Sequence, residues 1–482
     1  MSHPSVRELL DAVLDPDSFT SWDEPIDIES HPAEYQASLR AAAERAGTDE
    51  SILTGRGEVR GRPVAVIANE FAFLPGSIGH AAAQRIVSAV RRATSEGIPV
   101  LASTASGGTR MQEGTAAFVQ MVDISRAIMD HRAAGLPYLV HLRHPTTGGV
   151  FASWGSLGHI TVAEPGALIG FLGPKVFELL ENRPFPPGIQ VSENLANRGI
   201  IDAVVLTDEL PSVVDLALSL LIDRPSESTR ERRTGEVMRR RTPWESIEVT
   251  RAPERAGVRE VLRYGSDATV RLQGTDEGER DTAMIVAFAR LDGVPCVVVG
   301  QDRTTQTKAS PMGPAALREA RRGMRLANEL GLPLVSFIDT PGADLSPEAE
   351  QGAVAGEIAR CISTMATMSV PTVSVLLGQG CGGGALALLP ADVVVAAENA
   401  WLSPLPPEGA SAIVHGDVDH AAEMAEQQGV SALDLYEGGT VHHLVPEPDD
   451  DTPETFSQAV AAEVGARLRA LSLRSPQAQD EA

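Results

Sequence analysis

Hydrophobic and polar residues along the chain follow two alternating patterns. Short apolar runs, such as residues 62–68 and 98–102, are typical of buried β-strands. Residues 79–95 instead place apolar side chains every three or four positions, which predicts an amphipathic helix. Strands that alternate with helices favour βαβ units, so the pattern predicts an α/β fold with parallel sheets.

This pattern occurs twice along the chain. Gly97 corresponds to Gly331, an offset of 234 residues (331 − 97). The same offset places the glycines at 148–149 on those at 382–383. A constant offset across several elements indicates two copies of one fold. Two copies can bind two ligands and bring them together, which is an arrangement suited to group transfer.

Breaks in the pattern divide the chain into five segments. Residues 224–263 carry eleven arginines and seven glutamates with little apolar content, which indicates a linker or strap. Arg239, Arg240 and Arg241 offer an anion site there, although a solvated run of charge is the simpler interpretation. The predicted segments are an N-terminal helical extension (1–50), a first domain (51–223), the arginine-rich linker (224–263), a second domain (264–446) and an acidic, partly helical tail (447–482).

The composition narrows the class of protein. The 482 residues carry a net charge of −25, which argues against a nucleic-acid-binding surface. Three widely spaced cysteines exclude a zinc ribbon, a CxxC redox pair and a disulfide framework, and they fit a reducing compartment. The N-terminal segment lacks the apolar core of a signal peptide, and no apolar run is long enough to cross a membrane. We therefore expect a cytoplasmic protein with no metal site and no membrane or nucleic-acid partner.

The strongest candidate for chemistry is a pair of glycines, Gly107 and Gly108, between a predicted strand and residues 115–122, which have helical spacing. Glycines let the backbone bend sharply and approach a ligand closely. The pair is predicted to open the helix, whose N-terminal N–H groups and dipole suit a negatively charged oxygen. A tight turn with nothing bound explains this stretch equally well. A second glycine-rich turn, residues 378–384, follows a predicted strand at 372–377.

Common catalytic motifs are absent or weak in this sequence. It has no Gly-x-Ser-x-Gly nucleophile elbow and no phosphate-binding Gly-Lys-Ser/Thr loop. Residues 378–383 fit a dinucleotide fingerprint only nominally. His141 and His144 have no third metal ligand, so we interpret them as turn or surface residues. The remaining candidate for catalysis is a set of paired backbone N–H donors, which can stabilise the enolate or oxyanion of a thioester.

The N-terminal half resembles the β subunit of the carboxyltransferase of bacterial acetyl-CoA carboxylase, and the C-terminal half resembles the α subunit. In the N-terminal half the matching stretches are FAFLPGSIG (71–79), ASGGTRMQEG (105–114), GLPYL (135–139), PTTGGVFAS (145–153) and AEPGALIGFLGP (163–174). In the C-terminal half they are ARLDGVPCVVVGQ (289–301), MGPAALREARRGMRLANELGLPLVSFIDTPGA (312–343), GQGCGGGALAL (378–388) and LSPLPPEGASAI (402–413). Several long matches in the same order make the resemblance specific.

The resemblance implies two tandem crotonase-like domains of the ClpP/crotonase βββα superhelix type. It implies transfer of a carboxyl group from carboxybiotin, held on a separate carrier protein, to acetyl-CoA or propionyl-CoA. The products are malonyl-CoA or methylmalonyl-CoA, with a role in fatty-acid biosynthesis. CoA is expected on the N-terminal half and biotin on the C-terminal half. The family's active site lies between protomers, so a homo-oligomer (dimer or hexamer) and a biotin carboxylase or carrier partner are implied.

The resemblance also carries site residues onto this sequence. The N–H groups of Gly107 and Gly108 are implied to hold the enolate oxygen. Those of Gly383 and Gly384, with Ala385, are implied to hold the carbonyl oxygen of biotin. The ureido anion of biotin is then the base, which explains why no carboxylate dyad is found. Neighbours of the site are Gly148, Gly149 and Arg110, of which the last either orients a carboxylate or braces the turn.

The sequence departs from the family pattern at several positions. The N-terminal four-cysteine zinc ribbon of the β subunit has no counterpart, so no zinc is expected. Thr109 replaces an alanine and Asp344 replaces a tyrosine, with residues 345–347 in place of a Pro-Gly. Arg143 and His144 are unusual before PTTGG. Two other interpretations stay open: a malonate-decarboxylase-type subunit pair and a catalytically degenerate scaffold of a carboxylase complex.

Overall fold

The computed structural model describes residues 4–233 and 241–473, which form two compact units. The N-terminal unit is Met1–Ser219 with Asp276–Gly278, and the C-terminal unit is Leu220–Thr275 with Glu279–Ala482. Of the arginine cluster singled out in the sequence, Arg239 and Arg240 lie outside the described residues.

The N-terminal unit contains an eight-stranded sheet, helices and short 3-10 turns. Its strands are β1 (Thr20–Ser21), β2 (Ile52–Val59), β3 (Arg62–Asn69), β4 (Val100–Ser106), β5 (Tyr138–Thr147), β6 (Ile160–Ala163), β7 (Ile169–Gly170) and β8 (Ala203–Val204). Its helices are α1 (Val6–Val13), α2 (Ala33–Ala46), α3 (His80–Glu96), α4 (Gly114–Ala133), α5 (Pro174–Glu181), α6 (Ser192–Asn197) and α7 (Leu210–Ile222), whose last residues belong to the C-terminal unit. The 3-10 turns are Leu74–Gly76, Met111–Glu113 and Trp154–Ser156.

The strand order in this sheet is β1-β2-β3-β4-β5-β6-β8, and β7 pairs with the end of β5. Pairing is antiparallel from β1 to β3 and parallel from β3 to β8. Every residue of β4 is buried, as expected for a central strand of a parallel sheet. Ile86 and Val90 of α3 are fully buried in the core beside the sheet, which confirms the predicted amphipathic helix.

The C-terminal unit has the same kind of architecture. Its strands are β9 (Ser266–Leu272), β10 (Met284–Leu291), β11 (Val294–Gln301), β12 (Leu334–Thr340), β13 (Thr372–Cys381), β14 (Val393–Ala397), β15 (Trp401–Ser403) and β16 (His443–Val445). Its helices are α8 (Pro243–Arg251), α9 (Val258–Glu260), α10 (Pro314–Leu330), α11 (Pro347–Gln351), α12 (Val354–Ala366), α13 (Gly382–Leu386), α14 (Pro407–Val414), α15 (Ala421–Gln427), α16 (Ala432–Glu437) and α17 (Pro453–Ser472), with a π-helical turn at Val261–Gly265.

The strand order here is β16-β14-β13-β12-β11-β10-β9, and β15 pairs with the end of β13. Pairing is antiparallel from β9 to β11 and parallel from β11 to β16. The predicted apolar stripe of α10, including Leu317, Ala320 and Met324, is buried. Strand β9 is an edge strand, because among the described strands it pairs with β10 alone.

The two units repeat one fold at the predicted offset. Helix α3 and strands β4 and β5 begin and end 234 residues before α10, β12 and β13. The strand register repeats as well: Val100 pairs with Tyr138 in the first unit, and Leu334 pairs with Thr372 in the second. The internal repeat and the parallel α/β sheets inferred from the sequence are therefore confirmed.

The three cysteines are buried and form no disulfide. Burial raises the pKa of Cys296 to about 12 and that of Cys381 to about 11, so both stay neutral thiols near pH 7. Within residues 4–233 and 241–473, no helix combines the length and apolar character that a membrane span requires. Across the same ranges, no group of three His, Cys, Asp or Glu side chains has the arrangement of a metal site.

Candidate active site

In the N-terminal unit two turns meet where β4 and β5 end. Ser106, the last residue of β4, pairs with Thr146 of β5, so the segments after both strands leave the sheet side by side. Gly108 and Gly148 lie in these turns with positive φ angles of 107° and 64°. A Cβ on Gly108 would come within 3.4 Å of the Gly148 Cα, so glycine suits the point where the turns touch.

The N–H groups of Gly107 and Gly108 are already engaged inside the protein. Gly107 donates to the carbonyl oxygen of Pro75 at 2.9 Å, and Gly108 donates to the hydroxyl of Ser106 at 3.0 Å. The pair also opens no helix, because a 3-10 turn intervenes and α4 begins at Gly114. The structure therefore corrects the expectation of free oxyanion donors at this pair. The loop that carries Pro75 takes one donor, and a neighbouring hydroxyl takes the other.

Free donors lie instead in the second turn. Ala152 N–H donates to the carbonyl oxygen of Gly148 at 3.0 Å and closes one helical turn. Inside it, the N–H groups of Gly149, Val150 and Phe151 donate to no acceptor in the described parts of the chain. Val150 is fully buried, and buried N–H groups are nearly always paired. This turn is therefore suited to receive an acceptor oxygen from a ligand.

The C-terminal unit repeats both turns. In the turn after β12, Gly342 N–H donates to the hydroxyl of Thr340 at 3.1 Å, the same bond that the first turn makes in the N-terminal unit. After β13, helix α13 begins directly at Gly382, whose φ of 63° matches the 64° of Gly148. The residues after Gly382 are therefore the structural equivalents of the free donors in the N-terminal unit.

Gly383 and Gly384 lie in the first turn of α13, where helix geometry leaves N–H groups without an intrahelical acceptor. The N-cap residue, Cys381, makes no side-chain capping bond to them. Ala385 is fully buried, and its N–H follows at the position where the N-cap carbonyl is the usual acceptor. Gly383 and Gly384 thus form a pair of backbone donors next to a dipole that favours negative charge.

Gln301 and Asp339 support this turn, and sequence reasoning missed both. The Gln301 amide donates to the carbonyl oxygen of Gly384 at 2.7 Å, and its oxygen accepts the Asp339 N–H at 3.1 Å. The Asp339 carboxylate accepts the N–H of Gln379, in the glycine-rich run, at 2.9 Å. Both side chains are fully buried. A polar residue near the end of each of two apolar strands was the signal in the sequence.

The second carboxylate oxygen of Asp339 has no hydrogen-bond partner in the described chain. The Nε atom of Arg303 lies 3.5 Å away. Burial raises the pKa of Asp339 to about 6, although the positive charges of Arg303 and Arg255 oppose this rise. A carboxyl group whose pKa is close to neutral pH therefore lies under the turn that carries Gly383.

Arg110 lies beneath the first turn of the N-terminal unit and is 1% exposed. Its guanidinium forms an ion pair with Glu50 and donates to the carbonyl oxygen of Ser77 at 2.7 Å. It also lies 3.4 Å from the carboxylate of Glu113 and stacks over the ring of Phe73. With its donors engaged and its surface covered, Arg110 has the contacts of a residue that braces the turn.

Two other singled-out residues of this unit, His141 and Arg143, are also buried. His141 is fully buried beside Ser103, 3.1 Å from its hydroxyl, so the interpretation as a turn or surface residue is wrong. Burial lowers the pKa of His141 to about 3 and keeps it neutral. Arg143 is buried too and donates to the carbonyl oxygen of Asn69. His144 accepts a backbone N–H and is part of the same strand, β5.

Two departures from the family pattern take part in local structure. The Thr109 hydroxyl lies 3.0 Å from where a Cβ on Gly149 would be, so it borders the second turn. Asp344 accepts hydrogen bonds from the N–H and hydroxyl of Ser346, at 2.8 and 2.9 Å. Ser346 in turn caps α11 by accepting the Ala349 N–H at 3.1 Å. The replaced residues thus begin a capped helix after the first turn of the C-terminal unit.

Comparison with known proteins identifies the family. The family model described as Carboxyl transferase domain matches residues 4–452. A probable biotin-dependent acyl-coenzyme A carboxylase beta3 subunit of Mycobacterium tuberculosis is 56% identical over 473 residues, which are 97% of this chain and 95% of that protein. Acetyl-coenzyme A carboxylase carboxyl transferase subunits beta/alpha of Saccharopolyspora erythraea are 36% identical, covering 96% of this chain and 84% of theirs.

The fold also matches a solved structure. The crystal structure of transcarboxylase 12S, a hexamer described with methylmalonyl-coenzyme A bound, has a TM-score of 0.76 at 20% identity and covers 97% of this chain and 90% of its own. This likeness confirms the predicted crotonase-like fold. The resemblance inferred from the sequence is confirmed as well. This chain belongs to the carboxyl transferase domain family of biotin-dependent acyl-CoA carboxylases, in which biotin is held on a separate carrier protein.

Proposed function

We propose that this chain is the carboxyltransferase component of a biotin-dependent acyl-CoA carboxylase, with acetyl-CoA ahead of propionyl-CoA as the acceptor. One observation carries the proposal. The same turn occurs once in each unit, with backbone donors at Gly149 and Val150 in one and at Gly383 and Gly384 in the other. Two equivalent donor pairs suit a reaction in which two substrates each present a carbonyl oxygen.

The N-terminal pair suits the acyl thioester. Removal of a proton from the α carbon moves negative charge onto the thioester oxygen. The N–H groups of Gly149 and Val150 would hold that oxygen, with Gly107 and Gly108 shaping the turn beside them. Loss of one such donor typically costs about 100- to 1000-fold in rate. Burial of Val150 strengthens the effect, because charge–dipole interactions are stronger away from water.

The C-terminal pair suits the biotin of the carrier protein. Biotin supplies the carboxyl group and, after giving it up, a basic ureido nitrogen. The N–H groups of Gly383 and Gly384 would hold the ureido oxygen, and Gln301 fixes the carbonyl of Gly384 so that the turn keeps its orientation. This division of labour needs no acid–base pair of carboxylates. A biotin carboxylase or carrier subunit is the partner that this proposal requires.

The identity of the acyl group rests on the relatives. The protein of Saccharopolyspora erythraea is named for acetyl-coenzyme A, whereas that of Mycobacterium tuberculosis is named only for acyl-coenzyme A. The hexameric transcarboxylase was described with methylmalonyl-coenzyme A. We propose acetyl-CoA first, with a role in fatty-acid synthesis, and propionyl-CoA second.

A homo-oligomer, dimer or hexamer, is part of the proposal. On α4, Phe118 is 60% and Val122 59% exposed, and on α5 Leu179 is 84% exposed. In the C-terminal unit, Leu345 is 90% and Ile413 73% exposed. Large exposed apolar side chains of this kind mark protein interfaces. They support the family expectation that the N-terminal unit of one protomer meets the C-terminal unit of another.

The reverse reaction tests the function directly. Purified protein is mixed with malonyl-CoA and biocytin, and release of acetyl-CoA is followed with a citrate synthase coupled assay. Release that depends on biocytin is expected, and methylmalonyl-CoA is then compared as the donor, with its product propionyl-CoA followed by liquid chromatography. Release that needs an acyl carrier protein instead of CoA would favour a malonate-decarboxylase-type subunit. Binding of CoA without release of any product would favour a scaffold.

A further inference from the structure

A polar cavity lies in the C-terminal unit at the edge of its sheet. Its volume is about 310 Å³. Three arginines line it from different elements: Arg259 in α9, Arg271 in the edge strand β9, and Arg280 before β10. Asp302 and Glu319 also line it. None of these residues belongs to the turns described above.

All three arginines are exposed to solvent, and two of them differ from the third in their contacts. Arg259 donates from Nε to the carboxylate of Asp302 at 2.5 Å. Among the described residues, the guanidinium groups of Arg271 and Arg280 form no hydrogen bond and no ion pair. Arg271 pairs through its backbone with Ala287 of β10, so the strand fixes where its side chain leaves the sheet. The ten N–H donors of these two exposed guanidinium groups are therefore available to solvent or to a ligand.

Within the described chain, the acidic side chains of the cavity hydrogen-bond other groups and not Arg271 or Arg280, although the negative charge of Asp302 acts on Arg271. Asp302 accepts from Arg259 and from the N–H and hydroxyl of Thr304. Both oxygens of Asp281 accept backbone N–H groups. Glu319 accepts the N–H of Asp281, and burial raises its pKa to about 8, so it is largely neutral at pH 7. The cavity thus has more positive than negative charge.

The arginines also act on one another. Partial burial lowers the pKa of Arg271, the positive charge of Arg259 and, less, that of Arg280 lower it further, and the negative charge of Asp302 opposes them. This repulsion is relieved when an anion lies between them. A charged edge strand can also simply resist pairing with another chain. That role needs exposed charge alone and does not need three arginines gathered around a cavity.

We propose that this cavity binds a phosphoryl group through Arg271 and Arg280. Guanidinium forks match the oxygens of phosphate, and bidentate pairs with phosphate are among the stronger hydrogen bonds in proteins. The volume is at the small end of ligand pockets, which suits a phosphate or the phosphoryl end of a nucleotide. The site is independent of the proposed carboxyl transfer.

Calorimetric titration of the full chain tests the site, with inorganic phosphate, ADP and adenosine as probes. Saturable binding of phosphate or ADP is expected, with no heat from adenosine. Affinity falls about tenfold or more in Arg271→Gln and in Arg280→Gln, because each removes charge-assisted hydrogen bonds. The Arg271→Lys variant retains part of the wild-type affinity. The control Arg360→Gln changes an arginine that is 54% exposed and paired with Glu357, and it leaves binding unchanged.

The two sources of the phosphoryl group give different results. Equal affinity for phosphate and ADP identifies free phosphate as sufficient, and tighter binding of ADP identifies a nucleotide. Both support the site when they depend on Arg271. The proposal is overturned if neither probe binds saturably, or if folded Arg271→Gln and Arg280→Gln proteins, checked by thermal melting, bind as tightly as the wild type.

Discussion

The guanidinium of Arg110 and the carboxylate of Glu50 form an ion pair that is almost entirely enclosed, with 1% and 2% of each side chain exposed. The residues are 60 positions apart, and the pair ties the segment before β2 to the turn after β4. Arg110 also donates to the carbonyl oxygen of Ser77, in the loop whose Pro75 accepts the Gly107 N–H. The pair thus fixes both sides of the first turn.

Replacement of Arg110 by methionine should destabilise the N-terminal unit by about 3–5 kcal/mol, because Glu50 is left as a buried, unpaired charge. The double variant Arg110→Met/Glu50→Leu should recover most of that loss. Urea unfolding measures both effects. If Arg110 only braces the turn, the folded double variant keeps the wild-type KM for malonyl-CoA. A folded double variant with a greatly raised KM would show that Arg110 binds substrate.

Gln301→Leu should lower the free energy of unfolding by about 2–3 kcal/mol, since it leaves the Gly384 carbonyl and the Asp339 N–H buried without their partners. In the reverse assay, kcat/KM for biocytin should fall while KM for malonyl-CoA stays close to wild type. Gln427→Leu, at an exposed glutamine of α15, is the control. Equal losses for both substrates would argue against a role on the biotin side.

Stability should depend on pH through Asp339. Its pKa is about 6 in the folded chain against 3.8 for an ordinary aspartate, so the folded state binds more protons between these values. Stability therefore falls as pH rises from about 4 to 6, by up to about 3 kcal/mol. The Asp339→Asn variant has no carboxyl group to titrate at this position and therefore lacks this dependence of stability on pH. As the pH falls from 7 toward acid values, the urea midpoint of the wild type should rise relative to that of the variant. A difference between the two midpoints that does not change with pH would contradict the assignment of this pH dependence to Asp339.

Phe118→Glu should disrupt the proposed oligomer, because it places a charge on the exposed apolar face of α4. Light scattering after size-exclusion chromatography should give at most half of the wild-type mass. Arg126→Glu is the matched control on the same helix, where the arginine side chain is 64% exposed. An unchanged mass for Phe118→Glu would place the interface elsewhere.

Much of the fold was readable in the sequence because local patterns carry it. Buried strands such as β4 and the apolar stripe of α10 follow from periodicity alone. The 234-residue offset by itself relates the turn at Gly149 to the turn at Gly383. Glycine positions were informative because backbone turns of this shape need them.

The identity of the free donors was not readable in the sequence. Whether the Gly107 N–H is free depends on the carbonyl oxygen of Pro75, which lies 32 positions earlier and in another loop. The supporting side chain of Gln301 likewise reaches Gly384 across 83 positions. Such pairings are set by tertiary packing, and a single sequence contains no local pattern for them.

A backbone substitution tests the central claim most directly. Replacing Val150 by its α-hydroxy acid analogue turns the preceding amide into an ester, which removes the N–H and also weakens the Gly149 carbonyl oxygen as the acceptor of the Ser153 hydroxyl. Biocytin-dependent release of acetyl-CoA should then fall about 100- to 1000-fold, with little change in thermal stability. The same ester at Gly108 removes only the bond to Ser106 and should cost stability but less than about tenfold in rate. Wild-type activity in the Val150 ester, or loss of activity in the Gly108 ester alone, would contradict the account.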